Sequence, residues 1–229
     1  MHYEKHFTKR TNWLRAAVLG VNDGILSTTS IVIGVAAANT SRNSIVLAAL
    51  AGLVAGACSM AAGEYVSVSS QSDVETADLN REKSELATMP EQEVEELAGI
   101  YEGRGLDKEL AHNVAVQLMK NNALEAHARD ELGINDMTRP NPLQAAMASA
   151  ASFISGGILP LLVSVLAPMK GMVFFQYGFA ILFLAVSGAV AAKMGGSNIY
   201  KSIGRICFWG TVAMFISALV GYVFGVQTS

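Results

Sequence analysis

Two runs of carboxylates in this 229-residue chain are spaced as ligands would be. Glu75, Asp78, Glu82 and Glu85 recur at i, i+3, i+7 and i+10, one face of a helix, and Glu93 with Glu96 repeats the i, i+3 pair shortly after. Unneutralised, such like-charge neighbours repel. A divalent cation removes the repulsion and lets two helices face each other with carboxylates inward, as in di-iron carboxylate bundles. The ExxH pattern of those bundles is missing, but His127 and Glu131 stand at i, i+4 and add one nitrogen and one oxygen donor. An oxygen-rich set with at most one imidazole suits Mn, Fe(II), Mg or Ca better than thiolate-seeking metals. The bland alternative is a merely solvated acidic face, and for one isolated ExxE pair that is the better reading. Here the pairs sit in a stretch from Asp73 to Asp136 that holds sixteen of the nineteen acids and only six Lys or Arg.

A different acid raises a different question. Asp23 lies in VLGVNDGILST, and from residue 14 to 38 the only other formal charge is Arg15. At about 1.5 Å per residue those 25 residues cross a hydrocarbon core of about 30 Å, with Asp23 near its middle. A charge there costs about 2.5 to 3.5 kcal/mol on insertion scales, so it faces a cavity or a partner and marks a pathway. The alternative is a protonated acid bonded to a neighbouring hydroxyl: Asn22, Ser27 and Thr28 are beside it, Ser27 one turn along the same face. Met60 and Glu64, also one turn apart, stand in the next apolar run. Desolvation discharges a buried carboxylate and a nearby cation recharges it, so an arriving metal expels a proton. That exchange is the minimum physics of a metal/proton antiporter.

The elements that must position these residues follow from composition. The chain is 52% hydrophobic and 15% charged, with the charges segregated. Five runs reach membrane length, at residues 14–38, 45–66, 142–166, 172–192 and 203–226. The expected fold is an all-α membrane protein in which a helical domain interrupts five transmembrane helices between the second and third. Its parts are a cytoplasmic N-terminal segment (1–13), transmembrane helices 1–2 (14–66), the acidic domain (67–139) and transmembrane helices 3–5 (140–229). Fourteen Lys and Arg fall on the side of the N-terminus and the insert, and two, Arg42 and Lys170, on the other, so the insert is cytoplasmic. Membrane-proximal cytoplasmic segments usually favour basic residues because the leaflet is anionic. An insert about ten units negative runs against that preference, and cation capture explains it. A secretory signal competes for the N-terminal run, since AAANT at 36–40 resembles a cleavage site, but the run is too long and carries an acid. Cys58 and Cys207 form no CxxC pair and suggest small core residues.

Within the insert, a helix over 73–86 continues the second span, and Pro90 opens a helix that GRG at 103–105 closes. A third helix runs over 107–121 with Leu110, Val114 and Leu118 as its apolar stripe, and a shorter one ends before Gly133. His112 reads as surface or packing, and His2 and His6 belong to a terminal segment. Small residues at Gly52/Gly56, Gly188/Ala192/Gly196 and Gly221/Gly225 allow close helix approach within or between subunits.

The stretches VLGVNDGILSTTSIVIG, AGLVAGACSMAAGEYVSVSSQSD, DLNREKSELATMPEQEVEEL, and HARDELGI followed by RPNPLQAA resemble the vacuolar iron transporter family, in a bacterial form, over nearly the whole chain. The resemblance implies a five-span homodimer with a cytoplasmic metal-binding domain, moving Fe(II) and sometimes Mn(II) out of the cytoplasm in exchange for protons. It implies that Asp23 is the aspartate of a translocation path at the dimer interface and Met60 its pathway methionine. Glu82 and Glu85 match the first pair of metal-domain glutamates, Glu93 and Glu96 the second, and Glu131 the last, while His127 stands where the plant pattern has methionine. Plant members have a second intramembrane glutamate where this chain has Gly52, and no acid at the position of Glu64. Twelve residues separate the two, about 18 Å along a helix, so Glu64 does not simply replace it.

The expectation is a transporter and not an enzyme: Asp23, Met60 and Glu64, with Asn22 and Ser27 beside the aspartate, form the path. Glu82, Glu85, Glu93, Glu96, Glu131 and His127 gather metal at its mouth. Fe(II) and Mn(II) pass as substrates, Zn(II) is a surrogate the same donors accept, and no cofactor is held tightly. The partners are a second copy of the chain, the lipid bilayer of a bacterial inner membrane, divalent metals and protons. The rival is a membrane-anchored carboxylate ferroxidase or metal sensor, in which an anchor would have no use for Asp23. Five spans and an acidic insert exclude a soluble enzyme or a nucleic-acid binder.

Overall fold

Among the described residues, 11–38, 40–134 and 140–227, the computed structural model contains seven helices and no strand. They are α1 (Thr11–Ala37), α2 (Arg42–Thr88), α3 (Pro90–Gly103), α4 (Lys108–Asp130), α5 (Pro142–Leu166), α6 (Met172–Met194) and α7 (Ile199–Gln227). Five of them, α1, α2, α5, α6 and α7, are long and apolar enough to cross a membrane. Two compact units emerge from the contacts, one of residues 1–64 with 143–229 and one of residues 65–142. Helix α2 supplies residues to both without interruption. The first ten residues, with His2 and His6, and residues 135–139 with Asp136 and Arg139, lie outside the described part.

In the first unit α1 is the common partner of α6 and α7. It also meets α5 at distances only hydrogen allows. A Cβ on Gly24 would strike the carbonyl oxygen of Phe153, and one on Gly156 that of Val21. The ring of Phe153 in turn occupies the space over Gly56, and Leu53, Ala57 and Phe153 close a buried cluster between α2 and α5. Gly188 packs on Ile206 and Gly221 on the backbone of Gly34. The small residues that could serve a dimer are thus consumed within the chain at these points. Large apolar side chains face outward instead, Phe174 82% and Phe215 68% exposed, as a lipid solvent permits. Cys58, expected in the core, is exposed on α2; Cys207 is half-buried.

Two polar side chains of this unit are tied to backbone carbonyls, as a low-dielectric surround favours. Gln176, fully buried, donates through Nε2 to the carbonyl of Pro160, 2.8 Å away, the proline inside α5. At the C-terminal end of α5 the Arg42 guanidinium donates to the carbonyls of Ser164 (3.0 Å), Val165 and Ala167 (2.6 Å). A cation at a helix C-terminus also meets the negative end of its dipole.

In the second unit Pro90 sits in the first turn of α3, and Asp107 caps α4 by accepting from the Leu110 amide at 3.0 Å. The buried face of α4 is one residue off the expected stripe: Ala111 and Ala115 lie inside while Leu110 is 50% exposed. Alanines let α4 approach α3 closely over Leu97 and Ala98. Asn122 has φ −158° and ψ 94°, which breaks α4 near the expected place. Its Oδ1 accepts from the Glu125 amide (3.2 Å) and its Nδ2 donates to Glu125 Oε2 (2.9 Å), so the second segment starts with a cap of its own. Gly133, at φ +70°, ends it in the left-handed region that glycine adopts freely.

Candidate metal centre

The kink at Asn122 decides what His127 can reach. On a straight helix Met119 and His127 would stand about 12 Å apart along the axis. Across the break, His127 Nε2 lies 3.3 Å from the Met119 thioether sulfur. The ring is fully buried. Its Nδ1 points into carboxylates from three helical segments: Glu82 Oε1 at 2.9 Å from α2, Glu131 Oε2 at 3.0 Å just past α4, and Glu93 Oε2 at 3.8 Å from α3. Glu82 is 3% and Glu93 4% exposed.

One nitrogen cannot serve two carboxylates as a donor. Nδ1 lines up with Glu131, and Glu82 Oε1, though only 2.9 Å away, is left buried with no hydrogen-bond donor. Burial pushes the Glu82 carboxyl up to about 7, and Glu131 and Glu93 add to the rise while His127 partly opposes it. Glu96 is raised as well, by partial burial and by the charges of Glu131 and Glu93. Orphaned oxygen and crowded negative charge are both relieved by a cation, and the donors have suitable chemistry for one. The ligand atoms of Glu82, His127 and Glu131 all lie within 4.8 Å of one another. Donors bound at about 2.1 Å and cis to each other stand about 3 Å apart, close to the two distances at Nδ1. With a metal on Nδ1 the ring hydrogen sits on Nε2 and faces the Met119 sulfur, an outer partner that fixes the tautomer.

The other predicted metal residues take different places. Glu85 pairs with Arg81 at 3.0 Å and Glu96 is exposed at the margin. Glu75 accepts from Gln71, and Asp78 is exposed. His112 is a surface residue that pairs with Glu95 at 3.2 Å. Asp130, beside Glu131 in sequence, belongs to a separate clasp: burial alone would raise its carboxyl, but hydrogen bonds from Arg129, Arg104 and Tyr101 hold it down at about 2. Met119 escaped the sequence reading because the kink destroys the helical register that would have connected it to His127.

In the first unit, Asp23 is half-buried and accepts from the Ser27 hydroxyl at 2.7 Å, the one-turn pairing its spacing implies. Asn22 accepts from Ser187 of α6, also at 2.7 Å. Met60 packs beside Leu53, Ala57 and Phe153, and Glu64 is half-buried. Among the described residues no hydrogen bond or ion pair joins Asp23 and Glu64. Gly52 faces Ile31 so closely that a Cβ would meet its Cδ1, so a glutamate there would have to displace that side chain.

The chain is similar in sequence to proteins named as transporters. A vacuolar iron transporter of Acanthamoeba castellanii is 46% identical over 96% of this chain and 82% of its own length. Vacuolar iron transporter homolog 2 of Oryza sativa subsp. japonica is 37% identical over 92% of this chain and 90% of its own length. A VIT-like transporter 1b of Glycine max is 36% identical over 94% and 78%. A model of the VIT family matches residues 14–222, from the aspartate-bearing helix through the buried carboxylates to the last span, and the chain belongs to that family.

Proposed function

We propose that this chain is a proton-coupled transporter that exports Fe(II), and Mn(II) with it, from the cytoplasm. The observation that carries the reading is the buried Glu82 oxygen without a donor, 2.9 Å from a histidine nitrogen and beside two further carboxylates, in a chain with five membrane-length helices. Iron as cargo is supported by the names of the relatives. In this reading Glu82, Glu93, His127 and Glu131 hold the ion, with Glu85 and Glu96 drawing it in. Asp23, Met60 and Glu64 pass it across, as a homodimer in which two copies of the path face each other. A thioether beside carboxylates favours Fe(II) over Mg or Ca. The Lys and Arg distribution supports placing the acidic unit on the cytoplasmic side.

The test is metal flux into proteoliposomes carrying an internal pH dye, with Fe(II), Mn(II), Ca(II) and a no-metal control. Saturable Fe(II) entry with opposite proton movement is expected, lost in Asp23→Ala while metal binding at the acidic unit persists. Binding and catalytic Fe(II) oxidation without flux would replace the transporter by the membrane-anchored ferroxidase, and binding alone by the sensor.

A further inference from the structure

A recess with a largely apolar lining lies where α6 ends and α7 begins, within the membrane-length unit; Asn22, the neighbour of Asp23, belongs to its inner wall. It is a cavity of about 560 Å³ between α1, α6 and α7. Its mouth carries Ser197, Ser202 and Arg205, and its wall runs over Ile206 and Trp209, about 15 Å along α7 from its first residue. Small residues on α6, Gly188 and Ala191 among them, leave the volume open.

Arg205 has no hydrogen bond, ion pair or ring partner among the described residues. No acid follows Asp136 in the sequence, so the C-terminal three spans offer it no carboxylate, while Lys193 and Lys201 stand near the same turn. Ser202 lies one turn before Arg205 on the same helix face, and the positive end of the α7 dipole adds to the field. An arginine fork suits phosphate oxygens, and basic recesses between transmembrane helices take phosphate-bearing lipid headgroups. Depth decides between a free ion and a lipid: below the cationic mouth the wall is apolar, which an inorganic anion does not use and an acyl chain does.

We infer that the cavity between α1, α6 and α7 binds an anionic phospholipid, its phosphate on Arg205 and Ser202 and its chain along Ile206 and Trp209. This goes beyond metal transport and does not depend on it. Trp209 is a built-in reporter, Trp13 being the other tryptophan. In a Trp13→Phe background, the full chain is placed in nanodiscs containing a low fraction of brominated phosphatidylglycerol or of brominated phosphatidylcholine. The anionic lipid is expected to quench Trp209 with a preference of about fivefold, the scale of one basic residue at an anionic surface. Arg205→Gln should abolish the preference, Arg205→Lys should keep part of it, and Lys193→Gln, outside the cavity, should leave it intact. Millimolar inorganic phosphate should not compete. Equal quenching by the two lipids in the parent protein overturns the proposal whatever the variants do. Equal effects of Arg205→Gln and Lys193→Gln would replace the site by diffuse surface attraction, and reversal by phosphate would replace the lipid by a free anion.

Discussion

Removing the ionisable oxygen of Glu82 should stabilise the metal-free protein while weakening its hold on metal. The Glu82 carboxyl is raised from 4.5 to about 7 in the fold, chiefly by burial and then by Glu131. A carboxyl raised by folding contributes its stability below the unfolded value, and loses it as pH climbs through the folded one. A rise of that size corresponds to about 3 kcal/mol, a large part of a small domain's stability. Between about pH 5 and about pH 8 the metal-free second unit should therefore lose roughly a hundredfold in protection against opening. Asp130 adds nothing in that window, since its titration lies near 2, and Glu96 acts in the same direction but is left in place. Glu82→Gln cannot ionise and should flatten most of the fall. The measurement is hydrogen exchange of peptides from α3 and α4 in the full-length protein with chelator, corrected for intrinsic rates. Added Mn(II) should restore parental protection at the higher pH and do little for the variant. Parental protection unchanged across the window, or an equal fall in Glu82→Gln, would refute the reasoning.

Three further outcomes follow from the same geometry. Metal affinity of the intact protein, titrated with Mn(II), should fall about tenfold per unit as pH drops below about 7, because the Glu82 proton must leave; a flat profile would remove Glu82 from the ligand set. Asn122→Ala deletes the cap of the segment bearing His127, and should cost about 1 kcal/mol, read as faster exchange over residues 123–130 with weaker metal binding. Gly156→Ala drives a methyl into the Val21 carbonyl, and should cost about 1 to 3 kcal/mol in thermal unfolding, whereas Gly178→Ala, with open space at its Cβ, should be neutral.

What the sequence made legible is what is local. Apolar runs of membrane length, Pro90 at a helix start, Gly133 at a stop and Asp23 with Ser27 one turn away are signals carried within a few residues, and each has its counterpart in the structure. The acidic face was legible as a metal-binding face, but its spacing did not say which carboxylates are buried. Glu75, Asp78, Glu82 and Glu85 are equivalent by spacing, and only the approach of α3 and the end of α4 makes Glu82 the buried one. The apolar stripe of α4 misled for a related reason: leucine at 110 is the larger residue, but Ala111 and Ala115 permit the closer contact with α3. Met119 needed the Asn122 kink, and Phe153 over Gly56 needed the crossing of two distant spans, neither of which periodicity encodes.

The Arg42 clasp sets an order in time. Its acceptor carbonyls lie 122 to 125 residues further along the chain, so they do not yet exist when the α1–α2 hairpin is synthesised. The entire acidic unit is translated in the interval. A ribosome-bound intermediate with two spans therefore carries an unanswered guanidinium at its hairpin tip, and the arrival of α5 is the event that closes it. Chains stalled before residue 164 should be cleaved faster near Arg42 than chains released after residue 167.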